Sequence, residues 1–216
     1  RQELHDAGCL QKGLTAGLRA MDRALPRGTM SSQANPTKVI EDLGIIGGYD
    51  IRARVLEVRN GNITLPPNLN PQIALAFGRG LGARIEPGQT VVVTSDHRHL
   101  SEAMVEALTE GYRSKGINVI QNTPQKIYGG KPYLPTGVLS WFLIKSGLAG
   151  GVQVTGSHNP SQYNGMKISH GLEALYGDEL KAEGTKIAEG IEARPDVPPG
   201  QRGQLQQVDI LAQYLA

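Results

Sequence analysis

The sequence predicts an α/β domain, a sheet of mostly parallel strands with helices packed on it. Three observations lead there. Short apolar, partly β-branched runs of strand length recur at 90–95, 117–121 and 150–155. The stretches between them are long enough for helices and begin and end on helix signals. Glycine is abundant, at 28 of 216 residues, and several glycines fall at turns after the apolar runs, which favours functional loops on a sheet over a helical bundle. Strand, helix and strand in alternation, with connections of this length, give parallel strands joined by right-handed crossovers.

Each element has its own signal. Leu10, Leu14, Leu18 and Met21 recur at helical spacing, Pro26-Arg27-Gly28 ends that helix, and a Ser/Gln/Asn/Pro linker follows. His5 and Cys9 are four residues apart, as two ligands on a helix would be, but two ligands do not make a metal site. From about residue 46 the punctuation is regular. Asn70 reads as an N-cap with Pro71 at the first helical position, opening a helix to about Arg84. The run 90–95 (TVVVTS) reads as a strand buried on both faces. Ser101 reads as the cap of a helix through about Lys115, stopped by Gly116, and 117–121 is the second strand. Residues 123–133, rich in Pro, Gly and Tyr, read as a long loop. Leu139, Phe142, Leu143 and Ser146 then mark a helical face, 150–155 is the third strand, and a last helix covers about 178–192. No internal repeat is present.

Composition narrows the functions. A net charge of +2 without a basic tract does not point to nucleic acid. The single cysteine, Cys9, excludes a disulfide framework within the chain and fits a reducing, cytoplasmic setting. The apolar stretch 138–144 is far too short to span a bilayer, so no membrane partner is expected. The N-terminus lacks the apolar core of a signal peptide, Glu3, Asp6 and Asp22 speak against a transit peptide, and Arg1 suggests a start other than the natural one.

In a parallel sheet, ligands bind beyond the carboxyl ends of the strands, which selects the loops after Ser95, Gln121 and Thr155. The last reads Thr-Gly-Ser-His-Asn-Pro-Ser-Gln-Tyr-Asn-Gly-Met-Lys-Ile over 155–168. Gly156 removes a Cβ that would keep an anion from the backbone, and Ser157 follows on an exposed turn. His158 and Asn159 add donors, and Pro160 stiffens the loop. Asn164-Gly165 reads as a turn dipeptide that returns Lys167 toward the strand end. A serine ringed by donors and a lysine suits a bound or covalent phosphate. Alone, Ser157 would be an ordinary polar turn. A serine-hydrolase elbow is excluded, because it needs glycine two residues before and after the serine, where Thr155 and Asn159 stand.

The string Thr155-Gly156-Ser157-His158-Asn159-Pro160, continued by Tyr163-Asn164-Gly165 and Lys167, resembles the phosphoserine loop of the α-D-phosphohexomutases, in the form of the bacterial phosphomannomutase/phosphoglucomutase branch. Tyr49-Asp50-Ile51-Arg52 is similar to that family's opening segment, whose arginine faces the phosphoserine. Asp96-His97-Arg98-His99-Leu100-Ser101 is similar to its Asp-x-Arg-x-x-Ser loop, with Asp96 and Arg98 expected to hold loops together and His97 and His99 to be solvated. Gln207 to Leu211 and Tyr214 look like the exit from the first domain. One departure is Leu134-Pro135-Thr136-Gly137, where the family commonly has Thr-Pro, and it leaves the shape of 123–137 open.

The resemblance implies an extension at 1–45, a three-layer α/β/α first domain with a mostly parallel mixed sheet at 46–200, and the start of a linker at 201–216. It implies that Ser157 carries a phosphoryl group, passes it to a hexose phosphate of mannose or glucose, and receives the other phosphate back from the bisphosphate intermediate. Arg52 and Lys167 would stabilise the transferring oxygens, Lys167 would assist proton transfer, and His158 would sit where a proton moves. Tyr49 and Asn159 would contact substrate, and a Mg²⁺ ion would meet Ser157 through its phosphoryl group. The family's Asp-Gly-Asp-x-Asp-Arg metal motif is absent from the sequence. The chain is therefore read as an N-terminal fragment, inactive alone, whose partners include the remaining domains of the same enzyme. The alternative is a stand-alone, non-catalytic domain that binds phosphosugars or proteins.

Overall fold

The computed structural model describes residues 46, 50–55, 57–59, 62–64 and 69–216. In chain order they form β1 (Ile51–Arg54), β2 (Glu57–Arg59), β3 (Asn62–Thr64), α1 (Pro71–Gly82), β4 (Thr90–Ser95), α2 (Ser101–Ser114) and β5 (Asn118–Asn122). Then follow α3 (Thr136–Ser146), β6 (Gly150–Val154), β7 (Tyr163–His170), β8 (Glu173–Ala174), α4 (Gly177–Ala193), β9 (Leu205–Val208) and α5 (Ile210–Leu215). The helix expected over 10–21, the His5–Cys9 pair, the linker after Gly28 and Tyr49 lie outside the described residues.

The strands β1-β7-β6-β4-β5-β9 lie side by side in that order, with β8 added on β7. β6, β4, β5 and β9 run parallel, whereas β7 pairs antiparallel with β1, β6 and β8. The three strands expected from the sequence are thus the parallel middle of a mixed sheet. The chain moves from β4 to β5 through α2, then back past β4 to β6 through α3. Two right-handed crossovers in opposite directions put their helices on opposite faces, which makes three layers. α1 and α4 join the α2 side. On the other face Val92, Ile120, Leu139, Phe142, Leu143, Ile210 and Leu211 form a buried cluster under α3 and α5.

Two local readings are corrected. Ser101 does not cap α2: Leu100 holds the N-cap position in the left-handed region, and no side chain caps the helix. The Ser101 hydroxyl instead meets Asp96 Oδ1 at 3.4 Å and accepts from Asn164 Nδ2 at 3.0 Å. Asn164-Gly165 is not a turn either, since both residues lie inside β7, opposite Ala53 and Arg52. The reason is close approach. A Cβ on Gly165 would stand 2.0 Å from the Ile51 carbonyl oxygen, so the glycine lets β1 pair at this point. The reversal lies earlier, in 157–162. Among the described residues, no helix is long and apolar enough to cross a membrane.

Candidate active site

Two of the three selected loops meet at the carboxyl ends of the central strands. The Asp96 amide donates to the Val154 carbonyl at 3.0 Å, and Thr155 Oγ1 donates to Asp96 Oδ2 at 2.6 Å. The third, after β5, leans on α2: Lys131 Nζ and Tyr133 Oη donate to the two oxygens of Glu102 at 2.8 and 2.9 Å. Burial, and then the hydrogen bond and charge of Glu102, push the Tyr133 phenol well above its ordinary range, so it remains a donor. His97 and His99 are exposed, as expected.

Ser157 sits at the tip of the first turn after β6, with φ 52°. A non-glycine residue in this left-handed region is held there by its surroundings. Its amide donates to Thr155 Oγ1 at 2.9 Å, and its Oγ lies 3.2 Å from Nδ1 of the exposed His158. Among the described residues, the hydroxyl therefore has one titratable neighbour at hydrogen-bonding distance.

Arg98 underlies the turn. Its Nη1 donates to the carbonyls of Pro160 and Tyr163, each at 3.0 Å, and its Nη2 to those of Ser157 and Asn159 at 2.6 and 2.7 Å. The expectation that Arg98 and Asp96 hold loops together is met in detail. The role given to Gly156 changes, however. A Cβ there would lie 2.8 Å from Arg98 Cζ and Nη1, so the space vacated by the side chain belongs to the guanidinium and not to an anion.

The cations assemble beside the loop through a residue that the sequence reading assigned no role. Asp50 is only 4% exposed. Its Oδ1 accepts from Arg52 Nε at 2.5 Å, and its Oδ2 accepts from Arg52 Nη2 at 2.7 Å and Lys167 Nζ at 2.9 Å. The remaining Arg52 nitrogen, Nη1, donates to Asn159 Oδ1 at 2.9 Å, which ties this group to the serine loop. Two cations on one carboxylate leave a local charge of about +1, suited to a further anion. The structure thus joins Arg52 to Asn159 directly, Lys167 to both through Asp50, and His158 to Ser157. Asp50 was detectable, because a period of two puts it on the side of the chain that Arg52 occupies. Asn164 was also missed; it is fully buried, and its Nδ2 donates to the His99 carbonyl at 2.8 Å.

Among the described residues, no three His, Cys, Asp or Glu side chains converge as a metal site. Asp50 is spent on Arg52 and Lys167, and Asp96 on Thr155, Arg98 and Ser101. These residues do not form a Mg²⁺ cage by themselves.

Comparison with known proteins agrees with this architecture. The family model described as phosphoglucomutase/phosphomannomutase, alpha/beta/alpha domain I, matches residues 44–193. A phosphomannomutase of Klebsiella pneumoniae is 32% identical over 171 residues, covering 77% of this chain and 94% of that protein. A phosphomannomutase of Escherichia coli is 32% identical over 77% of this chain but only 32% of its own length. The solved structure of a phosphoglucomutase/phosphomannomutase family protein from Burkholderia thailandensis superposes with a TM-score of 0.61 at 29% identity, covering 80% of this chain and 34% of that one. The chain spans about a third of the length of the last two proteins.

Proposed function

The chain belongs to the phosphoglucomutase/phosphomannomutase family as its domain I, and from that premise we propose that it serves the interconversion of hexose 1- and 6-phosphates, with Ser157 as phosphoryl carrier. The observation that carries the reading is the Ser157 hydroxyl, turned out at φ 52° with an imidazole nitrogen 3.2 Å away, beside the Lys167–Asp50–Arg52–Asn159 chain. Mannose and glucose phosphates are the substrates that the family suggests.

In this reading a hydroxyl oxygen of the bound hexose phosphate attacks the phosphorus on Ser157 in line, and the bond from phosphorus to Oγ breaks. Oγ takes a proton from His158, and the proton shed by the sugar hydroxyl restores the imidazole. The bisphosphate then turns over, and the other phosphoryl group returns to Oγ by the reverse steps. The transferring group is metaphosphate-like, so catalysis rests on positioning and charge, which Arg52 and Lys167 supply. Mg²⁺, when bound, would add Lewis-acid stabilisation. Among the described residues, Ser157 would help to hold it, through the phosphoryl group that it carries in this reading.

Peptide mass spectrometry tests the assignment. The enzyme that joins this domain to those completing its Mg²⁺ site, isolated from cells or incubated with glucose 1,6-bisphosphate, is expected to carry phosphate on the 155–167 peptide. Ser157→Ala should abolish the label, while Ser161→Ala and Ser169→Ala should retain it, because covalent transfer needs the one nucleophile. Phosphate on Ser161, or on the Ser157→Ala chain, would show that the carrier is misassigned. Hexose phosphate binding with no label on any serine would favour a non-catalytic domain.

A further inference from the structure

We propose that Arg98 is a positioning residue that organises the Ser157 loop as an internal cation. Carbonyl oxygens of residues 157, 159, 160 and 163 converge on one guanidinium whose side chain is 12% exposed. Loops that bind cations present their carbonyls to a centre in the same manner. Here the cation is covalent and arrives from the loop after β4. Its Nε faces Asp96 Oδ2 at 3.5 Å, and that same oxygen accepts from Thr155 Oγ1, which in turn receives the Ser157 amide. Both peptide groups flanking the Ser157 Cα are therefore fixed by the Asp96–Arg98 pair, one through its carbonyl and one through its N–H.

This explains how a serine stays at φ 52° with no covalent constraint. It also explains Gly156, the position where any Cβ would strike the guanidinium. Lysine is no substitute. Its point charge carries three donors without a planar fork, so it cannot meet four carbonyls spread along a turn. Without the guanidinium, those carbonyls lose their partner, and the turn opens toward water. The direction of Oγ toward an incoming phosphorus is set by this turn, so in-line transfer depends on Arg98 although Arg98 touches no reacting atom. That last step rests on Ser157 being the phosphoryl carrier, whereas the organisation of the loop does not.

Amide hydrogen exchange on the 216-residue chain tests the first part. The Asn159 and Tyr163 amides donate within the loop, to the Gly156 and Pro160 carbonyls. In Arg98→Ala both should exchange at least about tenfold faster, with β4 and β5 amides unchanged, as for a local opening. Guanidinium at millimolar concentration should restore protection in a saturable way, methylammonium should not, and Arg98→Lys should behave like Arg98→Ala. Gly156→Ala keeps the charge but displaces it, so it should loosen the same two amides and stands in if Arg98→Ala does not fold. The second readout is the rate of Ser157 labelling by glucose 1,6-bisphosphate in the enzyme that joins this domain to those completing its Mg²⁺ site. It should fall at least about tenfold in Arg98→Ala with an unchanged half-saturating concentration, and guanidinium should recover it. Undisturbed protection in Arg98→Ala and Gly156→Ala, or restoration by methylammonium as well as by guanidinium, overturns the proposal. If the exchange results hold while the unsubstituted enzyme with all its domains takes no label, the carrier reading fails and the loop-organising role stands.

Discussion

Asp50 is the one acidic side chain among the buried polar residues described, and both of its oxygens are engaged by Arg52 and Lys167. Removing one partner from a buried ion pair leaves charge behind that the site was not built to hold alone. Arg52 and Lys167 keep 27% and 35% of their side-chain surface, so water offsets part of that loss. Asp50→Asn keeps the shape but turns an amide N–H₂ toward cationic donors. We expect urea unfolding to show a loss of about 1–3 kcal/mol, with labelling of Ser157 reduced as well. An unchanged midpoint would show that solvent alone supports the two cations. At this scale the sequence was uneven. Ser157 and His158 are neighbours in the chain, so their pairing could be read from the string itself. Asp50 and Lys167 are 117 positions apart, and no local pattern links them.

Among the elements, α1 behaves as its sequence says. Pro71 takes the first position, and Asn70 Oδ1 accepts the Ile73 amide at 3.0 Å. Asn70→Ala should cost about 1 kcal/mol in chemical denaturation, and Asn70→Ser should recover most of it. Equal stability of the Asn70→Ala and unsubstituted chains would mean that packing of α1 on α2 outweighs the cap. α2 shows why the same kind of signal fails elsewhere. Ser101 has the chemistry of a cap, but Leu100 occupies the capping position, and the hydroxyl serves Asp96 and Asn164 instead. Asn164-Gly165 has turn composition and lies in a strand, because Asn164 finds buried partners and Gly165 admits the β1 backbone. In both cases one competing partner, Asn164 for Ser101 and the β1 backbone for Gly165, comes from a different part of the chain.

Across the whole molecule, Asp196 ties segments that are far apart in sequence. Its carboxylate meets Arg79 Nη2 of α1 at 2.7 Å, Lys115 Nζ beyond α2 at 3.0 Å and Ser114 Oγ at 3.2 Å. Burial raises its pKa, but the Lys115 hydrogen bond, the Arg79 and Lys115 charges and the Ser114 bond together bring it below the ordinary value. A carboxyl depressed in the folded state stabilises above its unfolded pKa, roughly 3.9, and that stability is lost as pH falls through the folded value. Urea midpoints followed from pH 7 to 3 should therefore show Asp196→Asn less stable at neutral pH, with the gap closing below about pH 4. A gap that stays constant with pH would remove Asp196 from the acid response. The parallel middle of the sheet, the α1 cap and the position of the serine loop after β6 are legible in the residues alone, because strand period, helix ends and turn chemistry are properties of neighbouring residues. Two further features emerge with the fold: β1 lies beside β7 with Arg52 opposite Gly165, which brings Asp50 to Lys167, and Arg98 fills the turn beneath Ser157. Those contacts depend on strand order and register, where a slip of one residue would turn every side chain to the other face, and no single stretch of sequence encodes either.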